Sequence, residues 1–207
     1  SPYEGYRRIA VLLDFDAATP EAANALLKTL EEPPARDVLI LTATDPSLLL
    51  PTVVSRCQNL PLRSVPREEI AHWLAERNLA SPERAELLAR LSAGRIGWAI
   101  RAAEDPGLLE ERDADLVLLQ DALGQQRSGR LRLAEQQAQN EKRLPALLRL
   151  WQTWWRDLLL ICGGSEGLVT NTDRLEALRE YAARCDLQTA GAAVRSVNTA
   201  LQQLEQN

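Results

Sequence analysis

EAANALLKTLEEPPARDVLILTATDPSLLLPTVVSRC, running from Glu21 to Cys57, is the stretch that decides how the chain is read. Its first part is a helix. Thr19 supplies an N-cap hydroxyl, Pro20 suits the first helical position, and Glu21 lies at the positive end of the helix dipole. Ala23, Leu26, Leu27 and Leu30 recur on one helical face. Pro33-Pro34 forbids continuation. Val38-Leu39-Ile40-Leu41 is an unbroken apolar run, which predicts a strand buried on both faces of a parallel sheet. Thr42 and Thr44 stand where that strand ends. Pro51 starts a short helical turn that delivers Ser55-Arg56-Cys57.

Upstream, Ile9 to Leu13 is a second buried-strand run, ending in Leu13-Asp14-Phe15-Asp16. Downstream, Asn59 to Leu62 reads as a last short strand, and the pattern then turns helical. Pro66 opens a helix with Ile70, Trp73 and Leu74 on one face. Ser81-Pro82-Glu83 opens a second, with Leu87, Leu88 and Leu91 inward and Gly94 at its end. A third begins near Gly94 and closes at Asp105-Pro106-Gly107. Beyond Leu108 the chain is helical with short breaks, one of them the loop expected from Gly124 to Gly129. Pro145 lies near the start of a long helix with an apolar stripe: Leu144, Leu147, Leu148, Trp151, Trp154, Trp155, Leu158, Leu159 and Cys162. Gly163-Gly164 ends it. Bulky residues at helical spacing read as core or subunit interface rather than as a ligand box. Thr172 is expected to cap the next helix, with Leu175, Leu178, Ala182 and Cys185 inward. In the last helix Leu187, Ala190, Val194, Val197, Leu201 and Leu204 form a heptad seam. The fold class is α/β followed by all-α.

The chain has 207 residues, 45% hydrophobic and 26% charged, as in ordinary globular domains. Its net charge of −5 argues against wrapping nucleic acid through a basic field of its own. No apolar run is long enough for a bilayer, and no signal peptide pattern opens the sequence. Cys57, Cys162 and Cys185 lack metal-ligand spacing and read as reduced thiols. His72, the sole histidine, has no cluster beside it and reads as a helix surface residue. The chain enters almost directly into a strand and holds no Gly-rich phosphate loop, as expected of a piece of a longer protein.

NALLKTLEEPP (Asn24–Pro34), LTATDP (Leu41–Pro46) and SRC (Ser55–Cys57), in this order and spacing, resemble the bacterial sliding-clamp loader of the AAA+ family. The resemblance implies the C-terminal portion of an AAA+ P-loop domain over 1–62, a three-helix lid over 63–105 and a helical collar for oligomerisation over 106–207. It implies a subunit of the DNA polymerase III holoenzyme that helps load the sliding clamp onto primed DNA. Arg56 takes the place of the arginine finger, which serves a neighbour's ATP in trans. Ser55 and Cys57 flank it at the same interface and set local packing. A lone arginine reads otherwise as a surface salt bridge. Thr44 takes the sensor 1 place.

Two places depart from the motor members. The metal-binding and catalytic places of the Walker B strand fall on Leu13 and Asp14, and leucine has no oxygen for magnesium. Asp14 and Asp16 read equally as solvated strand-end carboxylates. Trp98 stands at the sensor 2 place, flanked by Arg95 and Arg101. Both departures point to a non-hydrolysing subunit with no cofactor of its own, with ATP and magnesium held by neighbours. The implied partners are the gamma/tau and delta subunits and, through the complex, the sliding clamp and primer-template DNA. The implied location is the cytoplasm, without membrane contact. Trp151, Trp154, Trp155, Leu201 and Leu204 are the candidate collar interface. The alternative is a fragment of an ATP-hydrolysing gamma/tau motor subunit of the same loader.

Overall fold

The structure is a computed structural model that describes residues 6–205. The chain divides into two compact units, Ser1–Leu62 and Arg63–Asn207. The first is α/β and the second all-α.

In the first unit two strands, β1 (Arg8–Leu12) and β2 (Asp37–Leu41), pair in parallel, Arg8 opposite Asp37 and Leu12 opposite Leu41. The crossover between them is α1 (Pro20–Glu31). The Thr19 side chain accepts from the Ala22 amide at 3.3 Å, the capping bond that the sequence predicts. Arg8 donates to the Asp37 carboxylate at the start of the ladder, which pins the register. A short helix, α2 (Pro51–Val54), follows β2.

The expected burial of both sheet faces is not found. Ile9 is 63% exposed, and Val11 and Ile40 are also open. Two strands and one crossover helix supply too little structure to cover two faces. The expected strand at Asn59–Leu62 is also absent: the segment forms no regular element, and Leu62 is 97% exposed.

The second unit begins with three helices, α3 (Arg67–Glu76), α4 (Pro82–Leu91) and α5 (Ile96–Glu104). Ile70, Leu74, Ala85, Leu88, Ala89, Ala99 and Ala102 form their shared core, in which four alanines allow close helix approach. Ser81 caps α4, its side chain accepting from the Arg84 amide. Gly94 lies in the left-handed region (φ +84°), and a Cβ there would meet the Ser64 Cβ at 2.5 Å. Its carbonyl accepts from Val65 at 2.9 Å, so the close approach is bonded as well as tight. Gly94→Ala is therefore expected to cost at least about 1–2 kcal/mol in backbone strain. The thermal midpoint should fall by roughly 5 °C. An unchanged melting curve would show that this turn rebuilds freely.

Five further helices follow: α6 (Gly107–Gly124), α7 (Arg127–Ala138), α8 (Leu144–Cys162), α9 (Leu175–Ala182) and α10 (Leu187–Glu205). Only Gln125 and Gln126 separate α6 from α7, so the expected Gly124–Gly129 loop is shorter and Gly129 is helical. Thr172 opens a 3-10 turn before α9 instead of capping it. The core holds Leu116, Leu119, Trp154, Leu158, Val169, Leu178 and Ala190. Trp154 meets Tyr181 edge to face at 6.1 Å between ring centroids. Among the described residues no helix is long and apolar enough to cross a membrane.

Beside this core lies a buried polar network. Asp157 is fully buried and accepts from the Thr170 amide at 3.0 Å and the Asn171 amide at 2.8 Å. It also accepts from the Asn171 side chain at 2.7 Å. Asn171 in turn accepts from Arg112 at 2.6 Å, and Arg112 forks onto Asp173 at 2.8 and 3.0 Å. These bonds tie α6 and α8 to the segment after Gly164.

Candidate functional site

The site is built at the strand ends and on the short helix that follows β2. Pro51 fixes the first position of α2, and Val53, fully buried, plugs that helix into the unit. With Val53 inward, Ser55 and Arg56 fall on the exposed side. Sequence reasoning overlooked Val53; its signal was an apolar residue two places after a helix-opening proline. Ser55 Oγ donates to the Thr52 carbonyl at 3.1 Å. Cys57 is partly buried, and burial pushes its thiol above the usual range, so it is a poor nucleophile. Packing is its evident contribution.

Arg56 is paired within its own unit. Nη1 donates to the Thr52 carbonyl at 2.9 Å and reaches Ser55 Oγ at 3.4 Å. Nη2 forms an ion pair with the Glu31 carboxylate at 2.5 Å. The two side chains are 34% and 49% exposed. The guanidinium is thus charged, held near the surface and within reach of an external anion.

The ends of β1 and β2 are tied together. The Thr42 amide donates to the Leu12 carbonyl at 2.9 Å, and the Phe15 amide to the Thr42 carbonyl at 2.7 Å. Leu13 is 71% exposed and brings no oxygen to the strand end. Asp14 adopts a left-handed backbone (φ 50°), with its amide donating to Thr42 Oγ1 at 2.9 Å. Thr44 donates both its amide and its hydroxyl to Asp16. Those two bonds hold the Asp16 carboxyl below the usual carboxylate range. The stabilisation they give is present at neutral pH and is lost as pH falls through the lowered value. Thr44 thus spends its hydroxyl on Asp16. At this strand end Leu13 offers no side-chain oxygen, Asp16 accepts both bonds from Thr44, and Asp14 carries the other carboxylate. Among the described residues no three His, Cys, Asp or Glu side chains converge as a metal site.

Trp98 lies on α5, half-buried against the core of the three-helix group. Its neighbour Arg95 is turned back, Nε donating to the Ser92 carbonyl at 3.0 Å. Arg101 is exposed. His72 is exposed on α3.

The tryptophans of α8 are spent largely on their own bundle. Trp154 is fully buried, which corrects the expectation that it faces a partner: the side chain fills the core and offers no outward surface. Trp151 and Trp155 are half-buried on the same cluster, and Trp151 donates to the Asp115 carbonyl at 3.1 Å. Leu201 is nearly buried. Leu204 and Leu187, at opposite ends of α10, remain exposed.

The family described as DNA polymerase III, delta subunit, matches residues 1–66. The chain is 27% identical to the DNA polymerase III subunit delta' of Bacillus subtilis (strain 168), over 99% of this chain and 62% of the relative. It is 38% identical to subunit delta' of Escherichia coli (strain K12), over 46% of this chain and 29% of the relative. To subunit tau of the same organism it is 36% identical, over 48% of this chain and 16% of the relative. The chain therefore spans 62% or less of the length of these curated relatives. The likeness to the Bacillus subtilis delta' covers almost the whole chain, whereas those to the Escherichia coli delta' and tau each cover about half of it. In sequence the chain is thus similar to the delta-prime subunits of bacterial DNA polymerase III.

Proposed function

We propose that the chain serves in a DNA polymerase III clamp loader as a subunit that hydrolyses no ATP itself. It donates Arg56 to the ATP of a neighbouring gamma/tau-type motor subunit and so helps place the sliding clamp on primer-template DNA. The observation that carries the reading is Arg56: a charged, surface-held guanidinium within an SRC motif, presented by a helix whose only buried residue is Val53. A planar guanidinium binds two phosphate oxygens at once, and one supplied in trans stabilises a transferring phosphoryl group. Leu13 and Trp98 support the absence of hydrolysis in this subunit, one lacking a metal ligand and the other a cation. On this reading residues 63–105 are the lid and 106–207 the collar, and the protein works in the cytoplasm.

The test is ATP turnover and clamp loading by motor and delta subunits reconstituted with and without the full-length protein. The reading requires both to depend on its presence. The tau likeness keeps a motor reading in view. ATP turnover by the purified protein alone, abolished by changing Asp14, would establish that reading instead.

The collar reading has its own test. Leu187 and Leu204 leave apolar surface open at both ends of α10. Leu187→Glu with Leu204→Glu should weaken assembly on size exclusion while leaving the melting curve of the isolated protein almost unchanged. Intact complex from the folded double variant would refute a partner-facing α10.

A further inference from the structure

The partner of Arg56 is itself informative. Glu31 is the last residue of α1, where the helix carbonyls concentrate partial negative charge. A carboxylate is disfavoured there unless a cation answers it. Arg56 answers it from the end of α2 with an ion pair at 2.5 Å. The Thr52 carbonyl holds the other terminal nitrogen at 2.9 Å. Both terminal nitrogens are therefore engaged inside the subunit.

We propose that Glu31 is a positioning residue that parks Arg56 on its own subunit and sets how much nucleotide is needed to draw it out. The inference rests on the reading of Arg56 as a trans-acting finger. A triphosphate and the Glu31 carboxylate compete for the same Nη2 donor, and their negative charges repel. Full delivery of the guanidinium to phosphate requires Glu31 to let go. An ATP-bearing neighbour supplies the charge to displace it; an empty neighbour does not. The contact is half-exposed, so it is weak enough to be broken by a phosphate and strong enough to bias the resting position.

The experiment uses reconstituted complex with primed DNA and clamp, and titrates ATP. Glu31→Gln keeps the shape and removes the charge. It should lower the ATP concentration for half-maximal turnover by about two- to five-fold, the scale of a surface ion pair. The rate at saturating ATP should not fall. Glu31→Asp, which keeps the charge, should stay nearer the wild type. The difference should shrink in high salt, which screens the pair. In an Arg56→Ala background Glu31→Gln should change nothing further.

An unchanged or raised half-saturating concentration in Glu31→Gln would overturn the parking role. A fall at saturating ATP would overturn it too, by making Glu31 a support for the finger. If Arg56→Ala lowers turnover while Glu31→Gln has no effect, only the Glu31 inference fails. If Arg56→Ala has no effect, the finger reading fails and this one with it.

Discussion

Arg56→Ala is expected to abolish the share of ATP turnover that depends on the site Arg56 serves. Arginine fingers supplied in trans are worth about 10³- to 10⁵-fold in rate, because they meet charge that develops only as the phosphoryl group transfers. Total turnover of the complex should fall by the whole contribution of that site, and clamp loading should fall with it. Folding should not change: the side chain is paired only at the surface, and a surface ion pair contributes about 0–1 kcal/mol. Arg56→Lys should recover little, since a point charge replaces one contact of the planar fork. The decisive measurement is steady-state ATP hydrolysis by complexes of equal composition, with assembly checked separately. Wild-type turnover in an intact Arg56→Ala complex would remove Arg56 from the chemistry.

The exposed placement of Arg56 was legible in the sequence because its setting is local. Pro51, the four-residue helix and SRC lie within seven residues, and helix geometry does the rest. The same holds for the Thr19 cap and for the stop at Pro33-Pro34, after which the chain enters β2. What the sequence concealed depends on pairings far along the chain. Glu31 and Arg56 are 25 positions apart, and nothing in either segment alone marks them as a pair. Thr44 and Asp16 are separated by 28 positions and meet only because β1 and β2 run side by side. Leu13 read as the tail of a buried strand but lies open, because apolar composition measures the tendency to be buried and not the amount of cover present.

The α8 stripe shows the same limit from another side. Periodicity assigned its face correctly, yet could not divide that face between core and partner. Trp154 and Leu158 went to the core, while Trp151 and Trp155 are half-buried beside them. The stripe also hid a charge. Asp157, three residues after Trp154 and next to Leu158, is not singled out by the apolar pattern, yet it is fully buried. Three donors from the Thr170–Asn171 segment draw it inside. A carboxylate can be buried where several N–H groups converge on it, and no helical pattern reports where those groups come from.

Asp157→Ala should therefore be among the most damaging substitutions in the protein. It removes the acceptor for two backbone amides and the Asn171 side chain, all at a fully buried position. Each buried donor left unsatisfied costs about 1–3 kcal/mol. The loss also frees Asn171, which holds Arg112 at 2.6 Å, so the guanidinium fork onto Asp173 loses its backing. A total of about 3–5 kcal/mol is expected, the range for breaking a buried charged network. That equals the roughly 3–5 kcal/mol expected for Trp154→Ala one turn away, although the alanine at 157 leaves a much smaller cavity. The two variants separate the causes. Trp154→Phe should recover much of the packing loss, because a ring still fills most of the space. Asp157→Asn should recover part of the network, because one acceptor oxygen remains while the second becomes a donor facing other donors. Urea unfolding of the whole protein, followed by tryptophan fluorescence and circular dichroism together, measures all four. Asp157→Ala within about 1 kcal/mol of wild type would mean that water satisfies these amides and that the network is not what holds the segment after Gly164 to α8.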